Sequence, residues 1–358
     1  MEIKFLQAEC GDAAILRFED DDGLHRNIMI DSGFERTFRH ALDAEIRSIV
    51  SRSERIDLWI ISHIHADHIG GVTKYITSVD FEELPDIVEK LLYNPPRIYE
   101  LKLASKSASR AMSIAQGDRL YEYAAPKIKL PSYDITSAIP IMNISGLKLT
   151  ILSPSPASLQ ALRTKYKLPG APEFETEEDT TISTAVSRGQ NDYYLPLESF
   201  VIQDFQEDNS IENASSIAVL LEYRSSRTLW LADAHPSNVI KTLITLGYSA
   251  QNKLRCDIVM VPHHGSKGNN SLELYEMLDC SSYVFSSNGE NKYNLPSKEC
   301  IARIIRNPLR DLNMPYHLYF TYDNHTLREI FANEESTLFE KYNFSVHYSQ
   351  EKCLRFEI

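Results

Sequence analysis

Ile56-Asp57-Leu58-Trp59-Ile60-Ile61-Ser62 runs directly into His63-Ile64-His65-Ala66-Asp67-His68-Ile69-Gly70-Gly71. The first half is an apolar run bounded by polar residues, which reads as a buried strand. The second half sets three histidines and an aspartate within six positions. His63 and His65 are two apart and point the same way in extended backbone. Asp67 and His68 follow at once, where the pattern turns helical. The stretch therefore offers one pair of ligands on each side of a sharp bend. Imidazole and carboxylate suit zinc, manganese or iron. A lone histidine is most often structural or at the surface, but four such residues at this spacing read as a cation site.

Working outward, residues 36–53 place Phe38, Leu42, Ile46, Ile49 and Val50 at helical spacing, so a helix leads into the strand. Before it, residues 2–33 read as strands and turns, with Asp20-Asp21-Asp22-Gly23 as a turn and Asn27-Ile28-Met29-Ile30 ending in Asp31-Ser32-Gly33. Gly11-Asp12 reads as a turn. Strand, helix, strand, ligand loop, helix is an α/β order. After the loop, residues 72–130 are mostly helical in pattern, broken at Pro85 and Pro95-Pro96. Within them, Leu101–Arg110 is locally basic and reads first as a solvated face. Residues 141–152 read as a strand pair. Residues 168–212 are irregular, with an acidic run from Glu173 to Asp179, and read equally as a lid or a surface insertion.

Two later strands also deliver polar residues to loops. Thr228-Leu229-Trp230-Leu231-Ala232 ends in Asp233-Ala234-His235. By itself Asp233 there reads as a helix-capping aspartate, since Pro236 can start a helix. His235 reads as a turn or surface residue. Cys256-Asp257-Ile258-Val259-Met260-Val261 ends in Pro262-His263-His264-Gly265-Ser266-Lys267. Ser266 and Lys267 read equally as groups that hold an anion and as ordinary loop residues. The tail from Pro315 reads as three strands, with His317, His325 and His347 structural or at the surface.

The His63–His68 stretch resembles the HxHxDH signature of the metallo-β-lactamase-fold hydrolases. Pro262–Lys267 resembles the PHHGS motif of one branch, which includes the hydrolase domain of bacterial competence DNA-uptake proteins. The resemblance covers roughly residues 2–72 and 213–330. It implies an α/β protein, an αβ/βα sandwich of two mixed sheets flanked by helices, as a single domain over residues 1–358. An insertion would fall at about 74–130 and the lid at about 168–212. It also implies two divalent metal ions, zinc or manganese. Asp67, His68, Asp233 and His264 would surround one. His63, His65 and Asp233, with Asn213 or His263, would surround the other, and Asp233 would bridge them. Asp67 and His263 are the catalytic candidates, His263 remaining open as ligand, proton donor or orienting residue. Asp31 would support the ligand loop from behind, or serve the turn alone.

Asn294-Leu295 departs from the branch, replacing a Gly-His pair, whereas Asn213-Ala214-Ser215-Ser216, where many superfamily members carry a third histidine, is similar to the NxxS form of the competence branch. The implied activity is metal-dependent hydrolysis by a metal-bound hydroxide, with a phosphodiester or nucleic-acid substrate. The alternatives are a small ester, lactone or lactam hydrolase, and a non-catalytic metal-binding subunit of a larger assembly.

Composition bounds these readings. The chain of 358 residues is long enough for a sizeable core, and 43% hydrophobic with 24% charged residues is ordinary for a globular protein. No apolar run reaches membrane-span length, and the N-terminus lacks the pattern of a secretion signal. Five scattered cysteines without a CxxC pair favour reduced thiols in a cytoplasm. A net charge of −13 counts against a general phosphate-gripping nucleic-acid binder.

Overall fold

The computed structural model describes residues 1–97, 112–166 and 191–358. The chain opens with β1 (Glu2–Leu6), β2 (Ala13–Glu19) and β3 (His25–Asp31), an antiparallel meander. A helical segment follows, interrupted by a π-helical turn at Phe38–Leu42 and continuing over Asp43–Ser51. β4 (Leu58–Ile60) then pairs parallel to β3, and β5 (Leu91–Leu92) parallel to β4. The segment expected to be mostly helical thus also supplies this edge strand. The basic stretch Leu101–Arg110 and the acidic run Glu173–Asp179 lie outside the described residues.

The second half builds the other sheet. β6 (Met142–Ile144) and β7 (Leu147–Ser153) form a hairpin, as do β8 (Ala218–Tyr223) and β9 (Ser226–Trp230). β10 (Leu254–Arg255) and β12 (Leu278–Asp279) make a small separate pair. β11 (Ile258–Met260), β13 (Ser282–Phe285), β14 (Tyr316–Phe320) and β15 (Phe344–Tyr348) continue from β9 in parallel. β16 (Cys353–Glu357) returns to pair with β1. The result is a six-stranded sheet, β16-β1-β2-β3-β4-β5, and an eight-stranded one, β15-β14-β13-β11-β9-β8-β7-β6.

Side-chain alternation sets the layers. Ile28, Ile30, Leu58 and Ile60 face the second sheet, where they meet Val219, Leu221, Trp230, Ile258 and Met260. Phe5 and Trp230 stack across this interface with centroids 5.8 Å apart. Met29 and Trp59 face outward onto Ile46, Ile49, Ile69, Val72 and Ile76 of the helices. On the far side, Leu229, Val259 and Tyr283 pack under Val239, Leu243, Ile301 and Ile304. Strands covered on both faces explain why the run before the histidines is apolar throughout rather than alternating. This is the expected αβ/βα sandwich. Among the described residues, no helix is long and apolar enough to cross a membrane.

Candidate metal centre

The carboxyl ends of β3, β4, β9, β11 and β13 open onto one edge of the sandwich, and the candidate residues sit on the loops that leave them. The β4 loop is fixed from behind. Asp31, at the end of β3, accepts hydrogen bonds from the Ser62 amide at 2.7 Å and from His68 Nδ1 at 2.9 Å. Its role is therefore support of the ligand loop as well as turning the chain. The Ser32 amide and hydroxyl both donate to the His68 carbonyl. The helix Ala66–Asp80 begins here, with Asp67 in its first turn, where the helix dipole favours a carboxylate. Gly71 lets that helix lie directly on the loop after β3, since a Cβ would overlap the Ser32 carbonyl.

The other loops close in from the second sheet. Asp233 follows β9 by a short turn. It does not cap the helix Pro236–Thr245, whose N-cap is His235. His263 and His264 follow β11 with left-handed φ of 48° and 54°, so both rings turn into the same space, 5.7 Å apart between centroids. His264 Nδ1 lies 3.1 Å from the Ser286 carbonyl after β13 and 3.3 Å from Asp12 Oδ1.

These contacts decide which atoms are left over. His68 and His264 commit Nδ1 to acceptors, so Nε2 is the nitrogen each presents inward. His68 Nε2 is 3.3 Å from Asp233 Oδ1, and His264 Nε2 is 3.3 Å from Asp67 Oδ2 and 3.8 Å from Asp233 Oδ1. His63 Nε2 and His263 Nε2 each stand 3.6 Å from the other oxygen, Asp233 Oδ2. The Nε2 atoms of His63, His68 and His264 and both Asp233 oxygens are buried without a hydrogen-bond partner. Separations of 3.6–3.8 Å are too long for hydrogen bonds. With the two at 3.3 Å, the set spans 3.3–3.8 Å and overlaps the roughly 3.3–3.6 Å expected between two ligands of one tetrahedral cation with bonds of about 2.0–2.2 Å. Three sets of donors lie within 4.8 Å of one another: His63, His65 and Asp233; Asp67, His68 and His264; and Asp12, His68 and Asp233. The residues present fit a divalent cation, and Asp233 turns one oxygen to each side.

The electrostatics agree with a cation-ready pocket. Burial drives His63 well below the usual imidazole range, and the neighbouring His68 and His65 push the same way. Burial alone would also depress His68, but Asp233, Asp67 and Asp31 outweigh it and hold the ring well above that range. His264 is raised in the same sense, against burial, with Asp12 and Asp233 among the groups responsible. Burial would raise Asp67 and Asp233, yet the surrounding imidazoles hold both below the usual carboxylate range.

The structure brings His63, His65, Asp67, His68, Asp233, His263 and His264 together. It also adds residues that sequence reasoning passed over. Asp12 is fully buried with neither oxygen hydrogen-bonded. Asp208 is buried and accepts from Asn213 Nδ2 at 2.5 Å, and Asn269 links it to His263. The turn signal at Gly11-Asp12 carried no hint of this. His235 corrects the surface reading: Glu207 bonds the Ser237 amide and hydroxyl, folding its segment over the ring, and His235 Nε2 lies 3.9 Å from Asp208 Oδ2. Ser266 is buried, and Lys267 pairs with Glu299 at 3.6 Å, which favours the loop-residue reading of both. Leu295 is buried beside this loop. The described end of the 168–212 stretch is fastened down. Asp192 accepts from Ser297 Oγ and the amides of Lys298 and Glu299, and Lys298 Nζ donates to the Tyr193 carbonyl.

Residues 21–106 match the family model of the metallo-beta-lactamase superfamily. No curated protein matches the sequence. Among solved structures, the chain is similar to CmlA, a diiron beta-hydroxylase from Streptomyces venezuelae, at 10% identity and a TM-score of 0.41, over 100% of this chain and 54% of that one. It is also similar to a metallo beta lactamase from Hirschia baltica at 14% identity and a TM-score of 0.19, over 39% of this chain and 48% of that one. The chain thus spans about half the length of each. The matched residues 21–106 include β3, β4 and the His63–His68 loop.

Proposed function

We propose that the protein is a metal-dependent hydrolase that holds two divalent cations, zinc or manganese, and cleaves a phosphodiester bond. The observation that carries the reading is Asp233: a buried carboxylate with no hydrogen bond, each oxygen facing a different set of imidazoles. Asp67, His68, His264 and Asp233 would hold one cation, and His63, His65 and Asp233 the other. Two cations sharing a carboxylate supply an activated water near neutral pH and polarise the bond under attack.

The chain's own groups do the rest. Asp31 fixes His68, and the Ser286 carbonyl fixes His264, each by accepting a hydrogen bond from Nδ1. Asp67 keeps 22% of its side chain exposed, whereas Asp233 and His68 are sealed. Asp67 is therefore the carboxylate placed to orient an attacking water. Partly exposed His65, Asp67 and His263 form the face a substrate meets.

The Pro262–Lys267 resemblance to the competence branch supports a phosphodiester. Glu299 beside Lys267 favours a second reading, an uncharged ester, lactone or lactam, because it offsets the one nearby cation on that loop. Elemental analysis of the purified protein, paired with bis(p-nitrophenyl) phosphate, single-stranded DNA and a small ester, lactone and lactam panel, separates them. Two ions per chain with phosphodiester turnover, both lost in Asp233→Ala, is the expected result. Ester or lactam turnover with phosphodiesters untouched would replace the first reading by the second. Bound metal without any turnover would leave a binding subunit, and no bound metal at all would remove the hydrolase.

A further inference from the structure

We propose that His263 is a cation ligand on the His63 side of the site, in place of the third histidine that the sequence lacks at Asn213, and that Asn269 and Asp208 position it. The proposal rests on the two-cation reading above.

The hydrogen bonds assign the ring. Asn269 Nδ2 donates to the Asp233 backbone carbonyl at 2.9 Å and to Asp208 Oδ2 at 3.3 Å. A carbonyl can only accept, and Asp208, which also takes the Asn213 amide at 2.5 Å, accepts as a carboxylate. That end of the Asn269 side chain must therefore be the NH2 group. Its Oδ1 is then the atom 2.7 Å from His263 Nδ1, and an amide oxygen can only accept. Nδ1 therefore carries a proton, and Nε2 is the nitrogen that faces Asp233 Oδ2 at 3.6 Å.

Nε2 faces a buried carboxylate oxygen that has no hydrogen-bond partner. The separation is too long for a direct hydrogen bond and suits two ligands of one cation. His63 Nε2 approaches the same oxygen at the same 3.6 Å.

The need for a ligand on this side is also visible. Asn213 has its amide nitrogen held by Asp208, and its buried Oδ1 has no hydrogen-bond partner. It offers an amide oxygen where an imidazole would bind more strongly. His63, His65 and Asp233 lie together, and His263 reaches the same Asp233 Oδ2 from a loop bent inward by left-handed backbone. Asp208 thus acts at one remove: it holds two amides, and one of these holds the ring.

The test titrates cation-free wild type, His263→Ala and Asn269→Ala with Co(II), followed by ligand-field absorption and by metal retained after desalting. Circular dichroism of each cation-free protein checks the fold. Wild type should take two equivalents. His263→Ala should keep one and bind the other at least 100-fold more weakly. Asn269→Ala keeps the imidazole but frees it, and should weaken that same equivalent about 10–100-fold. Two equivalents at wild-type affinity in His263→Ala would overturn the proposal, as would loss of both. Should His263→Ala not fold, unchanged binding in Asn269→Ala would overturn it alone. A wild type that binds no cation would refute the hydrolase reading itself, a result distinct from either.

Discussion

Asp31→Asn tests the support behind the ligand loop. Asp31 is fully buried, and burial raises its carboxyl above the usual range despite His68 beside it. It accepts two hydrogen bonds, from the Ser62 amide at 2.7 Å and His68 Nδ1 at 2.9 Å. Asparagine keeps the shape. Its oxygen can still serve Ser62, but its NH2 then faces His68 Nδ1 donor to donor. The ring escapes by moving its proton to Nε2, the atom that faces Asp233 Oδ1 at 3.3 Å. The lone pair meant for the cation is then gone. Loss of such an orienting partner lowers metal affinity about 10–100-fold, equivalent to about 1.4–2.8 kcal/mol. Asp31→Ala is harsher, because two charge-assisted bonds at roughly 1.5–3 kcal/mol each disappear and buried donors are left unpaired. Competition with a chromophoric chelator gives the affinity, and urea unfolding of the cation-free protein gives the stability. Wild-type affinity in Asp31→Asn would refute the claim that Asp31 sets the protonated nitrogen of His68.

Two further outcomes follow from the same geometry. Cation uptake should release protons, because His68 and His264 are raised above the usual imidazole range in the cation-free protein. The sign is definite: a raised histidine stabilises the fold fully below about pH 6.5 and loses that contribution as pH rises through its folded value. The melting temperature of the cation-free protein should therefore fall from neutral to alkaline pH while that of the loaded protein holds, and calorimetry in buffers of different ionisation enthalpy should count the released protons; pH-independent uptake would contradict this. Gly71→Ala should destabilise the protein by about 1–3 kcal/mol through overpacking against the Ser32 carbonyl, read by urea unfolding; wild-type stability would contradict this.

Much of the site was legible because each ligand follows a short apolar strand. His63–His68 after β4, Asp233 after β9 and His263-His264 after β11 all carry that mark, as does the layer order that brings them to one edge. What supports them was not legible. Asp12 looks like any turn residue, and only the pairing of β1 with β2 carries it beneath His264. Asp208 and Asn269 lie 61 positions apart and meet through side chains that have no periodicity to betray them. His235 was misjudged because exposure depends on whether a distant segment folds over it. The apolar pattern of a strand is local information, whereas a hydrogen-bond partner across two loops is not.

The split of Asp233, one oxygen to each side, makes the two halves of the pocket a single thermodynamic unit. Settling the carboxylate plane around one ion presets it for the next, while the like charges of two neighbouring dications oppose that gain. Whatever factor the first ion imposes on the affinity of the second, the second must return to the first. Occupancy is thus a cooperative property of the pair, with its sign set by which of the two effects is larger.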